Sequence, residues 1–378
     1  MLDMKVAREV FDASDDFTVG IEEEFQILDP ATLELTQRFE DLHRAAQADP
    51  VLAAAVAGEL ISSEVEIRSG KGAAFTDAVA QQREARVALF RLAAEQGIRL
   101  GAAGAHPWSA WQDQRIIDTE HYRRVEEGLK YVAWRNNTFS LHVHVGIRGA
   151  DRAIAVCDRL RSVLPELLAL SANSPFLDGR DSGLHSVRSQ IFTKSFPRCG
   201  IPDAFGDWRT YGDFVDFLVS TGSIVEHTQL WWSVRPHHSF GTVEFRICDA
   251  QSSAEDSTAL AGLITACIAQ AALDYDDGIR PEPLPGRYLE ENFWRAIRFG
   301  MAGALIDFDS ATEFDARAIP ERLLEWTGPA REVLGGIEPR VSEENGAMRQ
   351  RAVGDIREAF RREIELTEQT YAREEVAT

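Results

Sequence analysis

Carboxylate and imidazole side chains recur along one face of four segments that alternate like β-strands. The segments are Thr18–Leu28, Leu60–Arg68, Ser140–Ile147 and Thr242–Cys248. Because successive side chains of a strand point to opposite sides, each segment has an apolar face and a polar face. The polar faces carry Glu22, Glu24, Gln26, Glu64, Glu66, Arg68, Ser140, His142, His144, Thr242, Glu244 and Arg246. A solvent-facing sheet would mix Thr, Lys, Arg and Glu, whereas these faces hold mainly Glu and His.

This combination favours a site for divalent cations and phosphate. Converging carboxylates repel one another and raise their own pKa values unless cations neutralise them. Carboxylate oxygens suit Mg²⁺ or Mn²⁺, and an imidazole among them is compatible with either ion. Arg246 follows Glu244 by two residues and would supply positive charge for a phosphate held by the same ions.

Each of these residues has a simpler explanation when it is taken alone. A single Glu on a strand most often faces solvent, and a His-x-His pair is as often structural as ligating. The joint pattern on four strands favours the metal–phosphate site over these explanations. Glu23 lies on the apolar face of its strand, so we expect it to pair with an Arg or to lie at the sheet margin.

Helical patterns connect the strand-like segments. Ile98–Ala103 is a short fifth strand, and helical periodicity covers Phe75–Gln96, Asp118–Trp134, Asp151–Leu170, Tyr211–Thr221 and Ala254–Leu273. Thr76 is the predicted N-cap of the first helix, and Pro165 is predicted to kink or break the third. Separated strands with helices between them indicate an α+β fold.

The Pro- and Gly-rich segment Asp276–Gly286 predicts a linker, because both residues interrupt helix and sheet. The chain beyond it is highly charged and mostly helical in pattern. We expect a single domain with a sheet-containing body at residues 18–275 and a mostly helical C-terminal part at residues 287–378.

Composition excludes several classes of protein. The 378 residues carry 40 Lys and Arg against 61 Asp and Glu, a formal charge of −21, which repels nucleic acid and anionic membrane surfaces. Four cysteines without CxxC spacing are too sparse for a disulfide framework or a zinc site. The N-terminal stretch lacks the apolar core of a signal peptide, so we expect a cytoplasmic protein without membrane or nucleic-acid partners.

Four motifs in a fixed order resemble one known family. The motifs are "GIEEEF", "ELISSEVEI", "SLHVHVGI" and "RPHHSFGTVEFRICD". In order and spacing they resemble the glutamate–cysteine ligase type 2 family over about residues 18–273. The resemblance implies a glutamine synthetase-like fold, with a curved, largely antiparallel sheet flanked by helices, in which residues 18–275 bind ATP and metal.

The resemblance also implies roles for individual residues. The implied metal ligands are Glu22, Glu24, Glu59, Glu66, His142 and Glu244. His144 matches a residue near the ATP phosphates, Arg246 matches a phosphate or acyl-phosphate contact, and Arg235 resembles a second cationic clamp. Glu59 and Glu66 have opposite strand parity, so either a bulge intervenes or Glu59 precedes the strand.

The implied activity is an ATP-dependent carboxylate–amine ligase of the glutamate–cysteine ligase type, with Mg²⁺ or Mn²⁺ as cofactor. ATP would phosphorylate a substrate carboxylate, and an amine would displace phosphate to form an amide such as a γ-glutamyl bond. For the amino-acid pocket the candidates are His106 and Trp108 in "GAHPWSAW" and Arg198 in "RSQIFTKSFPRCG". A packed turn with a core Trp, or ordinary surface charge, explains these three residues equally well or better.

Two other functions use the same residues. A metal-dependent amidohydrolase would activate water and would act without ATP, and a catalytically silent protein would have kept the sheet for binding alone. The sequence leaves open the carboxylate (glutamate or another), the amine (cysteine or another), the catalytic base and the oligomeric state, for which a homodimer is one expectation.

Overall fold

The computed structural model describes residues 3–373 of the chain. Residues 1–2 and 374–378, the latter at the end of the C-terminal part predicted as mostly helical, lie outside the described residues. The main sheet has the strand order β10-β11-β5-β1-β3-β2, with β4 paired to the end of β1, and its pairings are antiparallel. Helices pack around this sheet, which confirms the predicted α+β class.

The strands of the described residues are β1 (Val19–Leu28), β2 (Val56–Ala57), β3 (Glu64–Arg68), β4 (Arg99–Gly101), β5 (Ser140–Gly146), β6 (Phe176–Leu177), β7 (Arg180–Asp181), β8 (Cys199–Gly200), β9 (Trp231–Trp232), β10 (Val234–His237), β11 (Thr242–Asp249), β12 (Ala304–Asp307) and β13 (Thr312–Asp315). Their α-helices are α1 (Met4–Asp12), α2 (Phe39–Ala46), α3 (Leu52–Ala55), α4 (Phe75–Glu95), α5 (Glu120–Leu129), α6 (Tyr131–Trp134), α7 (Ala150–Leu160), α8 (Leu164–Ser171), α9 (Val187–Ser195), α10 (Trp208–Ser220), α11 (Ala254–Asp276), α12 (Gly286–Phe299), α13 (Ile319–Trp326), α14 (Gly328–Val333), α15 (Gly346–Val353) and α16 (Ile356–Tyr371).

Local chemistry explains where the structure departs from the predicted boundaries. The N-cap of α4 is Ala74 and not Thr76, because the Asp77 carboxylate accepts a hydrogen bond from the Ala74 N–H at 3.1 Å. The predicted helix Asp118–Trp134 is interrupted at Lys130, whose φ of 48° lies in the left-handed region. Pro165 lies in the first turn of α8, so the predicted break precedes it and separates α7 from α8.

The apolar faces of the strands form the main core with α7, α8 and α11. Helix α11 is long and apolar enough to cross a membrane by length and composition, but most of it is buried inside this core. The same core continues into the C-terminal part through Phe293 and Ile297 of α12. The chain between α11 and α12 is irregular, as the predicted linker requires.

The C-terminal helix α16 returns to the start of the fold. Arg99 at the start of β4 makes two hydrogen bonds to Glu368 of α16, at 2.7 and 2.6 Å. Phe360 and Ile364 pack against Leu28 at the end of β1. The C-terminal part is therefore packed onto the sheet-containing body through α12 and α16.

Glu23 is the buried charge of the apolar face and forms the predicted pair with an arginine. Its carboxylate is 3% exposed and accepts hydrogen bonds from Arg86 Nε at 2.6 Å and Arg86 Nη2 at 2.7 Å. Gln82, Ser257 and the Tyr371 hydroxyl also donate to it. Burial raises the pKa of Glu23, but the charge and hydrogen bonds of Arg86 outweigh burial and the pKa is lowered. This one carboxylate joins β1, α4, α11 and α16.

Replacing this carboxylate by an amide removes one partner of a buried ion pair. We expect Glu23→Gln to lower the free energy of unfolding by about 3–5 kcal/mol, because Arg86 is left buried without its counter-charge. The measurement is urea denaturation followed by circular dichroism, with the exposed Glu84→Gln on the same helix as Arg86 as the matched control. A loss below about 1 kcal/mol, the range of a surface pair, would show that the network does not depend on the charge.

Candidate active site

The register of the main sheet brings the polar residues of four strands together. The opposed pairs are Glu22 with His142, Glu24 with Glu66, and His144 with Glu244. Three sets of ligand atoms each lie within 4.8 Å of one another, namely Glu22, Glu66 and His142; Glu22, His144 and Glu244; and Glu24, Glu59 and Glu66. The structure thus places all six predicted metal ligands in one row, together with His144.

Glu59 lies in the connection between β2 and β3 and not on a strand. Of the two explanations for its parity, the position before the strand is therefore the correct one. The side chain joins Glu24 and Glu66 from the end of the row. Burial, followed by the charge of Glu24, raises the pKa of Glu59 to about 7.

Glu64 is a sixth carboxylate at the site, which the implied ligand set omitted. It is 2% exposed and lies opposite Gln26 of β1, on the same face as Glu66. Burial, followed by the charges of Glu24 and Glu59, raises its pKa well above the usual range. The alternation of "EVEIR" already placed it on the polar face, so strand parity was the signal that pointed to it.

The donor set fits divalent cations. Burial and neighbouring carboxylates also raise the pKa of Glu66 well above the usual range, and its Oε2 atom is buried without a hydrogen-bond partner in residues 3–373. His144 Nε2 is likewise buried without such a partner. Carboxylate oxygens with one or two imidazoles are the donors that Mg²⁺ and Mn²⁺ accept. The residues proposed to bind these ions are those of the three ligand sets.

Polar neighbours hold the two imidazoles in place. Ser140 Oγ lies 2.7 Å from His142 Nε2 and also donates to Glu24 Oε2 at 2.7 Å. His144 Nδ1 lies 3.0 Å from the hydroxyl of Thr242. Hydrogen bonds of this kind fix the ring orientation of a ligating histidine.

Two arginines flank Glu244. Arg235 donates from Nε to Glu244 Oε2 at 2.6 Å and from Nη1 to the carbonyls of Thr228 and Leu230 at 3.0 and 2.6 Å. Its donors are therefore largely occupied by the protein, which favours a positioning role over the predicted phosphate clamp. Arg246 donates from Nη1 to Glu244, while its Nε is buried without a partner among the described residues. Arg246 is the arginine with donor capacity left for a phosphate.

Arg198 supports the loop that Arg235 also holds. Its Nε donates to the Gln229 carbonyl at 3.2 Å, and its guanidinium lies 5.6 Å from the centre of the Trp231 ring. The neighbouring Cys199 thiol donates to the Trp231 carbonyl, and burial raises its pKa to about 12. The thiol is therefore structural, while the predicted substrate contact of Arg198 stays a prediction.

His106 and Trp108 lie in a packed cluster with α16. The ring centres of His106 and Trp108 lie 4.7 and 5.1 Å from that of Phe360. His106 Nε2 lies 2.8 Å from the Leu33 carbonyl, and Trp108 Nε1 donates to Glu34 at 2.8 Å. None of these contacts reaches the carboxylate row within residues 3–373, so the arrangement matches the packed turn and leaves their predicted substrate role without support.

The first turn of α5 joins two loops at opposite ends of the row. Tyr122 donates from its hydroxyl to the carbonyl of Gly58, next to Glu59, at 2.6 Å. The adjacent His121 Nδ1 lies 2.9 Å from the carboxylate of Glu226, in the loop before β9. This turn therefore lies between the Glu59 connection and the loop that Arg235 holds.

Comparison with known proteins identifies related sequences and folds. The family model described as glutamate-cysteine ligase family 2 matches residues 18–370. A protein of Sorangium cellulosum named "Putative glutamate--cysteine ligase 2" is 42% identical over 319 residues, which cover 84% of this chain and 85% of that protein. A protein of the same name from Solibacter usitatus is 38% identical over 361 residues, 93% of each chain.

Two solved structures share the fold at low sequence identity. The glutamate–cysteine ligase of Francisella tularensis in complex with AMP has a TM-score of 0.64 at 11% identity and covers 96% of this chain and 91% of its own. The bifunctional glutathione synthetase of Pasteurella multocida has a TM-score of 0.57 at 14% identity and covers 97% and 50%. The predicted glutamine synthetase-like fold is confirmed.

Divalent cations relieve the repulsion among the carboxylates, so we expect Mg²⁺ or Mn²⁺ to raise the melting temperature and a chelator to reverse the effect. At a cation concentration one hundred times Kd, binding stabilises the folded state by about 2.7 kcal/mol.

Glu66→Gln alters a residue shared by two of the three ligand sets and should weaken Mn²⁺ binding at least tenfold in isothermal titration calorimetry. Unchanged affinity in Glu66→Gln, beside an unchanged Glu84→Gln control, would contradict the metal assignment.

Acid should weaken the docking of α16 through His106. Burial, opposed only in part by the bond to the Leu33 carbonyl, lowers the pKa of His106 to about 3 from an ordinary 6.5. A lowered folded-state pKa gives stability that is complete above pH 6.5 and is lost as pH falls toward 3. Urea denaturation at several pH values should show a smaller loss between pH 6.5 and 4 in His106→Gln than in the wild type. Equal losses in both proteins would contradict this assignment.

Proposed function

The chain belongs to glutamate-cysteine ligase family 2, and we propose that it catalyses the ATP-dependent formation of a γ-glutamyl amide bond through an acyl phosphate. The observation that carries this proposal is the single buried row of carboxylates and imidazoles within a family match over residues 18–370. The names of the related proteins support glutamate and cysteine as the carboxylate and the amine.

The three ligand sets of the row would hold Mg²⁺ or Mn²⁺, which would supply positive charge against the negative charge that develops during transfer. The protein contributes fixed geometry to this step. Glu22 and Glu24 lie on β1 between the ligands of β5 and β3, and hydrogen bonds from Ser140 orient Glu24. Ligands held in place before ATP binds need little reorganisation at the moment of reaction.

Phosphoryl transfer and amide formation follow in turn. An oxygen of the substrate carboxylate attacks the γ-phosphorus, so that a C–O–P linkage forms and ADP leaves. The amine nitrogen then attacks the acyl carbon, the C–N bond forms, and the C–O bond to phosphate breaks; the amine gives up one proton, and inorganic phosphate leaves as its hydrogen phosphate. Arg246 lies at the row with an unused Nε donor and stabilises the negative charge of the transferring group.

Arg235 and the loop before β9 act on this site indirectly. Arg235 holds Glu244 and two carbonyls of that loop at the same time. Arg198 holds the carbonyl of Gln229 between them. Arg235 is therefore a positioning residue for Glu244, and Arg198 positions the loop against β8 and β9.

Residues 18–275 and 287–378 act as one catalytic unit in this proposal. The first range carries every residue of the metal row, and the second closes the fold through α12 and α16. Support comes from the shared core and from the Arg99–Glu368 pair. A cytoplasmic location, where ATP and free amino acids are abundant, is consistent with this chemistry.

The alternative, an amidohydrolase that acts without ATP, has no support among the related proteins reported above. Nucleotide dependence distinguishes the two functions directly. The test is phosphate release with ATP and Mg²⁺ across a panel of amino acids and amines. Release that requires both glutamate and cysteine supports the proposal, whereas amide hydrolysis in the absence of ATP would overturn it.

The role of Arg246 gives a second test of the same function. We expect Arg246→Ala to lower kcat by about 100- to 1,000-fold, because a donor aimed at developing charge is lost, while KM for the amino acids changes little. The exposed Arg209→Met is the matched control. Circular dichroism should show both variants folded. A variant in which only the amino-acid KM rises would contradict the assignment to phosphoryl transfer.

A further inference from the structure

A cavity of about 730 Å³ lies apart from the carboxylate row. Its walls come from the α7–α8 junction, the end of α11, the segment 279–284, α12, β12 and α13. None of its lining residues belongs to the three ligand sets. The volume is within the range of pockets that bind small organic molecules.

Arg161 places a buried charge in this wall. It lies between α7 and α8 and is 2% exposed. Its Nε donates to the Pro202 carbonyl at 2.7 Å, but its Nη1 is buried without a hydrogen-bond partner in residues 3–373. The charges of Asp158 and Asp203 act on this guanidinium, but the Asp158 carboxylate accepts its hydrogen bonds from the backbone N–H groups of Phe205 and Gly206. An unpaired buried guanidinium donor is costly, which points to an external anionic partner.

Glu166, in the first turn of α8, lines the same cavity with the opposite charge. Its carboxylate makes no hydrogen bond with any part of the chain that the structure describes. Burial raises its pKa to about 7, although Arg322 and Arg159 lie near.

Those two arginines have other partners. Arg322 Nη2 donates to Asp307 at 3.1 Å, and the guanidinium of Arg159 lies 4.7 Å from the centre of the Trp326 ring. Arg159 Nη1 donates to Ser162, and its Nε lies 3.7 Å from Asp274. Glu166 is half-buried and feels the charge of both arginines, but neither donates a hydrogen bond to it among the described residues, so its carboxylate is free to accept from a ligand.

The wall is mixed in character, and beside its charged residues it has an apolar and aromatic part formed by Val163, Tyr275, Leu289, Phe308, Leu323 and Trp326. We propose that this cavity is a second binding site for a small zwitterion with a large apolar side chain, an amino acid or a dipeptide, whose carboxylate pairs with Arg161 and whose ammonium pairs with Glu166. Such a ligand satisfies both unpaired groups and buries its side chain on the aromatic wall. Glutamate and cysteine lack such a side chain, so this site differs from that of the proposed reaction.

Calorimetric titration of the full chain without ATP or metal tests the proposal with four probes. L-Phenylalanine and a phenylalanine-containing dipeptide carry both charges, phenylalanine amide lacks the carboxylate, and 3-phenylpropionate lacks the ammonium. We expect Arg161→Met and Glu166→Gln each to weaken binding of a zwitterionic probe on the order of tenfold to a hundredfold. The free amino acid and the dipeptide are distinguished by which of them binds the wild type more tightly.

The two single-charge probes separate the two contacts. Arg161→Met should weaken 3-phenylpropionate and leave phenylalanine amide unchanged, whereas Glu166→Gln should do the reverse. The exposed Arg317→Met, which does not line the cavity, is the control. Arg161 is buried, so Arg161→Met can fail to fold. In that case the measurements on Glu166→Gln test the proposal on their own.

Three results would overturn the proposal. The first is that none of the four probes binds the wild type, and the second is that the wild type and the folded variants bind them with equal affinity. The third is that the variants differ from the wild type in oligomeric state by sedimentation but not in probe affinity. The last result would assign the cavity to contact between copies of this chain. Ligase turnover does not enter any of these measurements, so the outcome is independent of the proposed function.

Discussion

Mutual repulsion among buried carboxylates is the constraint on which the rest of this structure depends. The carboxylates of Glu22, Glu24, Glu64 and Glu66 lie along one face of β1 and β3, and Glu59 joins them from the connection before β3. Burial and like charge raise the pKa values of Glu59, Glu64 and Glu66. The fold must therefore hold these groups close together against their electrostatic repulsion, even when no ligand is bound.

Positive charge at the ends of the row offsets part of this repulsion. Arg68 donates to Glu66, and Arg246 together with Arg235 surrounds Glu244. Between them, Glu22 keeps a pKa well below the usual range because His144 and His142 outweigh the effect of its burial. At Glu64 the shift comes from burial and neighbouring carboxylates, and there a divalent cation would lower the free energy most.

On the opposite face of β1, the cost of burying a carboxylate is offset by an arginine and hydrogen bonds. Glu23 is as buried as its neighbours, but it has Arg86, Gln82 and Ser257 as partners and a lowered pKa. Strand parity predicted this division of the triplet, and it also predicted Glu64 on the polar face. Strand parity could not show whether Glu59 lies at a bulge or in a loop, because the answer depends on the residue at which β3 starts to pair with β1. The pairing of Arg235 with loop carbonyls and the position of His106 under α16 depend on tertiary packing, which no local pattern encodes.

The proposed second site shows why such features need the folded chain. Arg161 and Glu166 are close in sequence, but Phe308 and Trp326 reach the same cavity from about 150 residues away. Helix α8, which carries Glu166, packs against β11, which carries Glu244 and Arg246. The proposed second site and the carboxylate row are therefore joined by one continuous packed core, through one helix and one strand.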